Sequence, residues 1–441
     1  MAERYLLVGF GVTNQAVASA LLARGYDIVV ADDAPSSDAV TAASSMGVDI
    51  VVAPDDAALD ALVRSADVVL PSPGLGDVHP SIGAAQRAGV PVRSELDLAT
   101  QWDDRPVVAI TGTDGKTTVT TLTTDVLNAS GLTAAAVGNT DVPLVAAIDD
   151  PAIDVFVVEA SSFRLGHSEH FAPLVGTWLN VSPDHLDRHG AMHAYVAAKA
   201  RIWHDQTSDQ WAVGNAEDPI VSDLLDRAPA RHVRFGLGDA DYRLRGNDLV
   251  TPAGDVLVHR SELFRDYAHD ITNALAACAT ALPAGATLDG CRDALQRFAG
   301  LPHRISLVAD DGAVRWYDDS KATTPGAALA AVRSFKSVVL VAGGRNKGLD
   351  LSALTAGADH LRAVVAIGEA APDIERAFAG VRPVRVAGSM ADAVAAAGDV
   401  AQPGDAVLLS PACASFDWYR SYAERGDDFA RKVAERIGAR S

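Results

Sequence analysis

Short apolar runs alternate with alanine-rich stretches of helical spacing along most of this chain, and the runs stop on glycine, serine or acidic residues. The stretch Tyr5-Leu-Leu-Val-Gly-Phe-Gly-Val-Thr13 leads into a helical pattern up to Arg24-Gly25, then into the run 28–31, which ends on Asp32-Asp33. That order predicts strand, helix, strand. Runs at 49–52, 68–70 and 90–92, the second followed by Ser72-Pro-Gly74, extend the pattern into a parallel sheet. A polar break at 102–106 reads as a linker. The run 107–111 opens a second α/β unit, with helices expected over 119–127 and 191–204, strands at 155–158, 175–180 and 211–214, and an end near 299. From Arg304 the alternation restarts, with strands expected at 314–317, 337–342, 363–367 and 406–409. The expectation is an α/β protein of three domains, 1–104, 105–299 and 300–441. The outer two carry Rossmann-like sheets and the central one a P-loop ATPase-like fold.

The strongest chemical signal lies between the run 107–111 and the helix after it, where residues 112–118 read Gly-Thr-Asp-Gly-Lys-Thr-Thr. Glycines there let the backbone aim several N–H groups at a phosphate, and the following helix offers its positive end. Lys116 would neutralise phosphate charge and Thr117 would hold Mg²⁺ through its hydroxyl. The loop is two residues shorter than the G-x-x-x-x-G-K-[ST] form, whose first glycine would fall on Ile110. A bare glycine-rich βα turn is the structural alternative. At the N-terminus Gly9-x-Gly11 is followed by Asn14 where a dinucleotide fingerprint wants a third glycine, which weakens a NAD(P) reading.

Other candidates follow predicted strands. Glu159 ends an apolar run, where a carboxylate meets the ligand edge of a parallel sheet, although an N-cap acid would look the same. The segment 180–189 holds Asp184, His185, Asp187, Arg188 and His189; it suits a MgATP site better than zinc, since its spacing gives no complete ligand set. Lys199 lies on the amphipathic helix pattern 195–203, and spacing alone reads it as a solvated surface lysine. Arg304 stands at a domain junction. Asp318, Asp319 and Lys321 follow one strand and Lys347 another, and two ammonium groups suit a dicarboxylate. Cys413 ends the last strand and reads as a buried thiol.

Composition narrows the classes. With 37 basic and 57 acidic residues the formal charge is −20, which disfavours nucleic-acid and anionic-membrane binding. No leader-like segment and no membrane-length apolar run is evident, and three cysteines without C-x-x-C spacing fit a reducing cytoplasm.

Taken together, the motifs resemble the Mur ligases of peptidoglycan synthesis, over the whole chain. They are GFGVT, SPG, GTDGKTT, EASSF, DHLDRHG, YxxAKxRIW, GLPHR, DDSKATT, GGRNKG and SPACASFD; the first and the last, with DWYRSYAERG, are nearest the glutamate-adding member. The resemblance implies domains for a UDP-muramoyl substrate, for ATP and for an amino acid, with UDP-N-acetylmuramoyl-L-alanine and D-glutamate joined through an acyl phosphate. It implies Lys116, Glu159, His185 and Lys199 as catalytic residues. ATP would meet Gly112, Thr113, Asp114, Gly115, Lys116, Thr117, Thr118, Asn273, Arg304 and Asp319. Two Mg²⁺ would be held by Thr117, Glu159, His185 and a carbamoylated Lys199, which replaces the surface reading of that lysine. Thr13, Asp32, Gly74 and Asn139 would hold the UDP-sugar; Lys321, Thr323, Lys347, Ser415 and Tyr422 the glutamate. Departures from the family pattern are Asp141, Asp270, Asp318 and Ala160. The expected enzyme is a cytoplasmic monomer that binds neither nucleic acid nor membrane. A sibling ligase adding L-glutamate or another amino acid is the alternative within the class. A folate polyglutamylating ligase leaves GFGVT unexplained, and a NAD(P) oxidoreductase leaves Lys116 unexplained.

Overall fold

The computed structural model describes residues 3–76, 78–140 and 142–438, so Asp141, one of the departures, lies outside the described residues. The chain forms two compact units. One comprises Met1–Val181, Arg188–Asp266 and Asp270–Phe298, and the other Ser182–Asp187, Tyr267–His269 and Ala299–Ser441.

The first unit holds two sheets. The N-terminal sheet contains β1 (Arg4–Val8), β2 (Asp27–Asp32), β3 (Ile50–Val52) and β4 (Val68–Pro71), in the order β3-β2-β1-β4, all parallel. The larger sheet contains β5 (Val107–Thr111), β6 (Ala134–Gly138), β7 (Val155–Glu159), β8 (Val175–Trp178), β9 (Trp211–Asn215), β10 (Arg231–Gly236), β11 (Tyr242–Arg245), β12 (Asp248–Val250) and β13 (Val256–His259). Its order is β13-β12-β11-β10-β9-β8-β5-β7-β6, parallel except at the terminal β11-β12-β13 meander. The second unit holds β14 (Ser306–Asp310), β15 (Arg315–Asp318), β16 (Val338–Gly343), β17 (Leu361–Ile367), β18 (Val384–Ala387) and β19 (Ala406–Leu409), in the order β14-β15-β19-β16-β17-β18. Only β14 runs antiparallel to its neighbour.

Every residue of β5, β7 and β16 is buried, because helices cover both faces of these parallel strands and leave no polar side to alternate with. That is why they read as unbroken apolar runs. One expected strand is absent: at 90–92 only Val92 bridges, to Val69. The chain there has just left a helix through Gly89 at φ 69° and enters another capped by Ser94, so no length remains for a ladder. The strands at 242–259 were not expected from sequence, since three or four residues of alternation carry too little pattern. Among the described residues no helix is long and apolar enough to cross a membrane.

Glycines set the strand ends where loops must turn sharply. Gly343, closing β16, has φ 124°, and a Cβ there would stand 2.0 Å from the Ile367 carbonyl oxygen at the end of β17. No backbone can yield by that much without breaking the ladder. Gly343→Ala is therefore expected to destabilise the second unit by on the order of 2–4 kcal/mol, read as a lower urea midpoint for its unfolding. An unchanged midpoint would contradict this account of the β16 end.

Candidate functional site

In the parallel sheets the loops that carry candidate residues leave the carboxyl ends of neighbouring strands. In the large sheet these are β8, β5 and β7, in that spatial order. The loop 112–115 after β5 is clamped by Asn180. Its Oδ1 accepts from Thr113 N at 3.0 Å and Asp114 N at 2.9 Å, and its Nδ2 donates to the Asp114 carbonyl at 3.1 Å. Gly115 takes φ 86° and opens the helix Lys116–Ala129 with no side-chain cap. A Cβ on Gly115 would lie 3.0 Å from Asn273 Oδ1, so this glycine lets the loop sit against a candidate ATP-binding residue.

Two lysines converge on this loop. Lys116 Nζ donates to the Gly112 carbonyl at 2.7 Å and to that of Thr113 at 2.8 Å, while Lys199 Nζ donates to the same Gly112 oxygen at 2.7 Å. Lys199 is 1% exposed and its ammonium lies 4.6 Å from the Tyr195 ring centroid, so the surface-lysine reading from helical spacing is wrong. The Tyr195 hydroxyl lies 3.1 Å from Thr113 Oγ1, tying the lysine's helix to the loop. Two ammonium groups on one carbonyl repel one another, the more so because Lys199 is buried. Anionic phosphate, or conversion of one lysine to an anion, relieves that repulsion, so the residues fit both.

Glu159, 4% exposed at the end of β7, accepts from Asn139 Nδ2 at 3.0 Å, and Asn139 N donates to the Glu159 carbonyl at 2.8 Å. The approach depends on Gly138, whose φ of 97° and 2.7 Å clearance from that carbonyl leave no room for a Cβ. Ala160 is fully buried, and its N–H bonds the Ile110 carbonyl at 2.8 Å. Asp270 is paired with Arg265 at 3.0 Å, so this acidic departure is neutralised locally.

At the N-terminal sheet, Asp32 accepts from Phe10 N at 2.7 Å and Ala34 N at 3.0 Å, bracing the glycine turn that carries Thr13. The Gly74 carbonyl accepts from Arg188 at 3.0 Å. Asn14 is 2% exposed and donates to the carbonyls of Val8, Gly9 and Leu70. A glycine there would lose that bridge between β1 and β4, which explains the incomplete dinucleotide fingerprint.

In the second unit the loops after β15, β19 and β16 lie side by side. Asp319 is 6% exposed, accepts from Ser410 Oγ at 2.7 Å and feels Arg304; burial pushes its carboxyl up to about 7. Asp318, the third departure that the structure describes, bonds His303 Nδ1 at 2.6 Å; burial raises it and His303 opposes the rise. Lys321 Nζ lies 5.1 Å from the Tyr422 ring, and the Tyr422 carbonyl accepts from Ser320 Oγ at 2.7 Å. Ser415 is 2% exposed, Thr323 is half-buried beside the helix cap Thr324. Arg425, unremarkable in sequence, is 1% exposed and donates to Ser320 Oγ at 2.9 Å and the Cys413 carbonyl at 3.2 Å, stitching two candidate loops together. His185, at φ 53°, and Lys347 both contact Asp184, the lysine at 2.6 Å. Cys413 is buried, and burial pushes its thiol up to about 12, unlike a nucleophile's. No cluster of three or more His, Cys, Asp or Glu that could hold a metal ion is gathered among the described residues.

Residues 3–94 match the Mur ligase MurD-like N-terminal domain, 110–281 the Mur ligase middle domain, and 303–413 the Mur ligase glutamate ligase domain. UDP-N-acetylmuramoylalanine–D-glutamate ligases from Frankia casuarinae and Methylococcus capsulatus are 42% and 39% identical, each covering 98% of this chain and 94% of its own length. Among solved structures, a pseudomurein peptide ligase type C from Methanothermus fervidus superposes with a TM-score of 0.63 at 19% identity, covering 99% of this chain and 100% of its own. MurF ligase from Thermotoga maritima in complex with ADP gives 0.61 at 16% identity, covering 100% of this chain and 96% of its own; both likenesses concern the fold alone. Fold and loops define a three-domain α/β ligase. The chain belongs to the Mur ligase family, on the branch of the UDP-N-acetylmuramoylalanine–D-glutamate ligases.

Asp319 yields a pH prediction. Its carboxyl keeps a proton in the folded state up to about 7, whereas an unfolded aspartate loses it near about 4. Its contribution to stability is thus fully present below about pH 4 and lost as pH rises through about 7. Asp319→Asn should flatten the fall in stability across that window by up to about 1.4 kcal/mol per pH unit, measured by urea unfolding at stepped pH. Identical slopes in the two proteins would show that Asp319 titrates normally.

Proposed function

We propose that this protein joins the amine of D-glutamate to the carboxylate of UDP-N-acetylmuramoyl-L-alanine with ATP, in the synthesis of peptidoglycan precursors. The observation that carries the reading is the convergence of Lys116 and Lys199 on the Gly112 carbonyl, at the turn where a phosphate-binding loop meets its helix. A carboxylate is a poor electrophile until one oxygen is phosphorylated. The γ-phosphoryl group passes to the acceptor carboxylate, and the glutamate amine then displaces phosphate, leaving amide, ADP and phosphate.

The domains divide this work at 1–104, 105–299 and 300–441. Thr13, Asp32, Gly74 and Asn139 hold the UDP-sugar. The loop Gly112–Thr118 with Asn273, Arg304 and Asp319 binds ATP, and Lys116 stabilises charge on the transferred phosphoryl group. Thr117, Glu159, His185 and a carbamoylated Lys199 supply oxygen and imidazole ligands for two Mg²⁺, which neutralise phosphate charge when bound. Lys321, Thr323, Lys347, Ser415 and Tyr422 receive glutamate, two ammonium groups matching its two carboxylates. The enzyme works as a cytoplasmic monomer on small molecules. Its formal charge of −20 supports the absence of nucleic-acid and anionic-membrane partners.

Incubation with MgATP, the UDP-muramoyl acceptor and either glutamate isomer tests the reading directly. Phosphate release with D-glutamate is expected; no release with either isomer would sink it, and release with L-glutamate alone would move the chain to a sibling activity. For the carbamate, Lys199→Ala should lower kcat by on the order of 10²–10³-fold, and added formate or acetate should restore part of it. Full activity of the unrescued variant would rule the carbamate out.

A further inference from the structure

Arg164 lies just beyond Glu159, on the short helix Ser162–Gly166, and is 5% exposed. One terminal nitrogen, Nη1, meets Glu95, itself 4% exposed, whose other oxygen accepts from Val145 N at 3.1 Å. The second, Nη2, donates to Thr13 Oγ1 at 3.0 Å. The Nε–H is buried with no partner among the described residues. The orientation of the guanidinium is fixed by Glu95 on one side and Thr13 on the other.

Thr13 stands in the first turn of the helix Val12–Ala23, whose N-cap Gly11 provides no side-chain bond to the helix amides. The helix follows β1, which lies between β2 and β4, the point where strand order reverses and parallel sheets take ligands. Because the Thr13 oxygen already accepts from Arg164, its O–H remains to be donated, and it has no acceptor among the described residues. That O–H and the first-turn amides make a donor set for phosphate oxygens.

We infer that Arg164 is a positioning residue for the diphosphate of the acceptor, holding the Thr13 hydroxyl as a donor; this rests on the UDP-acceptor reading above. Glu95 holds Arg164 in turn. Neither touches the ligand in this scheme.

The test compares wild type with Glu95→Gln/Arg164→Gln and Thr13→Val, measuring KM for each of the three substrates, kcat and Tm. Burial already pushes the Glu95 carboxyl up against the pull of Arg164, so a neutral glutamine pair suits the site. Acceptor KM should rise about tenfold in each variant, and no further when the two are combined, while KM for ATP and glutamate and kcat stay within about twofold. If the glutamine pair does not fold, Arg164→Lys carries the same test, since it keeps a cation at Glu95 but cannot reach Glu95 and Thr13 together. An unchanged acceptor KM in a folded variant, additive effects on combination, or an equal rise in all three KM values would overturn the assignment. An inactive wild type would instead defeat the function reading itself.

Discussion

The phosphate chemistry proposed for this enzyme turns on one crowded carbonyl, that of Gly112, which receives the ammonium groups of both Lys116 and Lys199. Lys116 arrives from the helix its own loop opens, and Lys199 from the distant helix Met192–His204. Such a pair is unfavourable unless negative charge is supplied between or upon them. In the proposed function, phosphate would supply it during turnover and a carbamoylated Lys199 would supply it in place. The rest of the first unit holds this arrangement still: Asn180 fixes the loop, Tyr195 fixes the incoming helix, and Gly138 lets Asn139 lie against Glu159.

The second unit follows the same logic by different means. Buried carboxyls, not lysines, crowd its loop edge, and each is answered locally: Asp318 by His303, Asp319 by Ser410 and the field of Arg304, Asp184 by Lys347. Arg425 then pins the 318–324 loop to the 410–417 loop. The departures at Asp270 and Asp318 therefore sit in satisfied pairs within their own units.

Much of this was legible in the chain because parallel strands covered on both faces must be continuous apolar runs, and the residues at their carboxyl ends are where chemistry collects. The loop 112–118 and Glu159 were read that way. The meander at 242–259 escaped because short half-buried strands carry little period. Lys199 reads as a surface residue by its charge, yet it shares the buried stripe of Tyr195, Ala198, Ile202 and Trp203 on its helix, and its 1% exposure overturns that reading. Asn180, Arg164 and Arg425 leave no local signal: each acts on a backbone or hydroxyl far away in sequence, and only the folded chain brings donor and acceptor together.

The claim at the centre is that Lys199 resolves the crowding by becoming an anion. Carbon-13 NMR of the protein equilibrated with labelled bicarbonate reads this without any turnover. The account predicts a carbamate resonance in the wild-type protein that is missing from Lys199→Ala; the same spectrum from both proteins would contradict it.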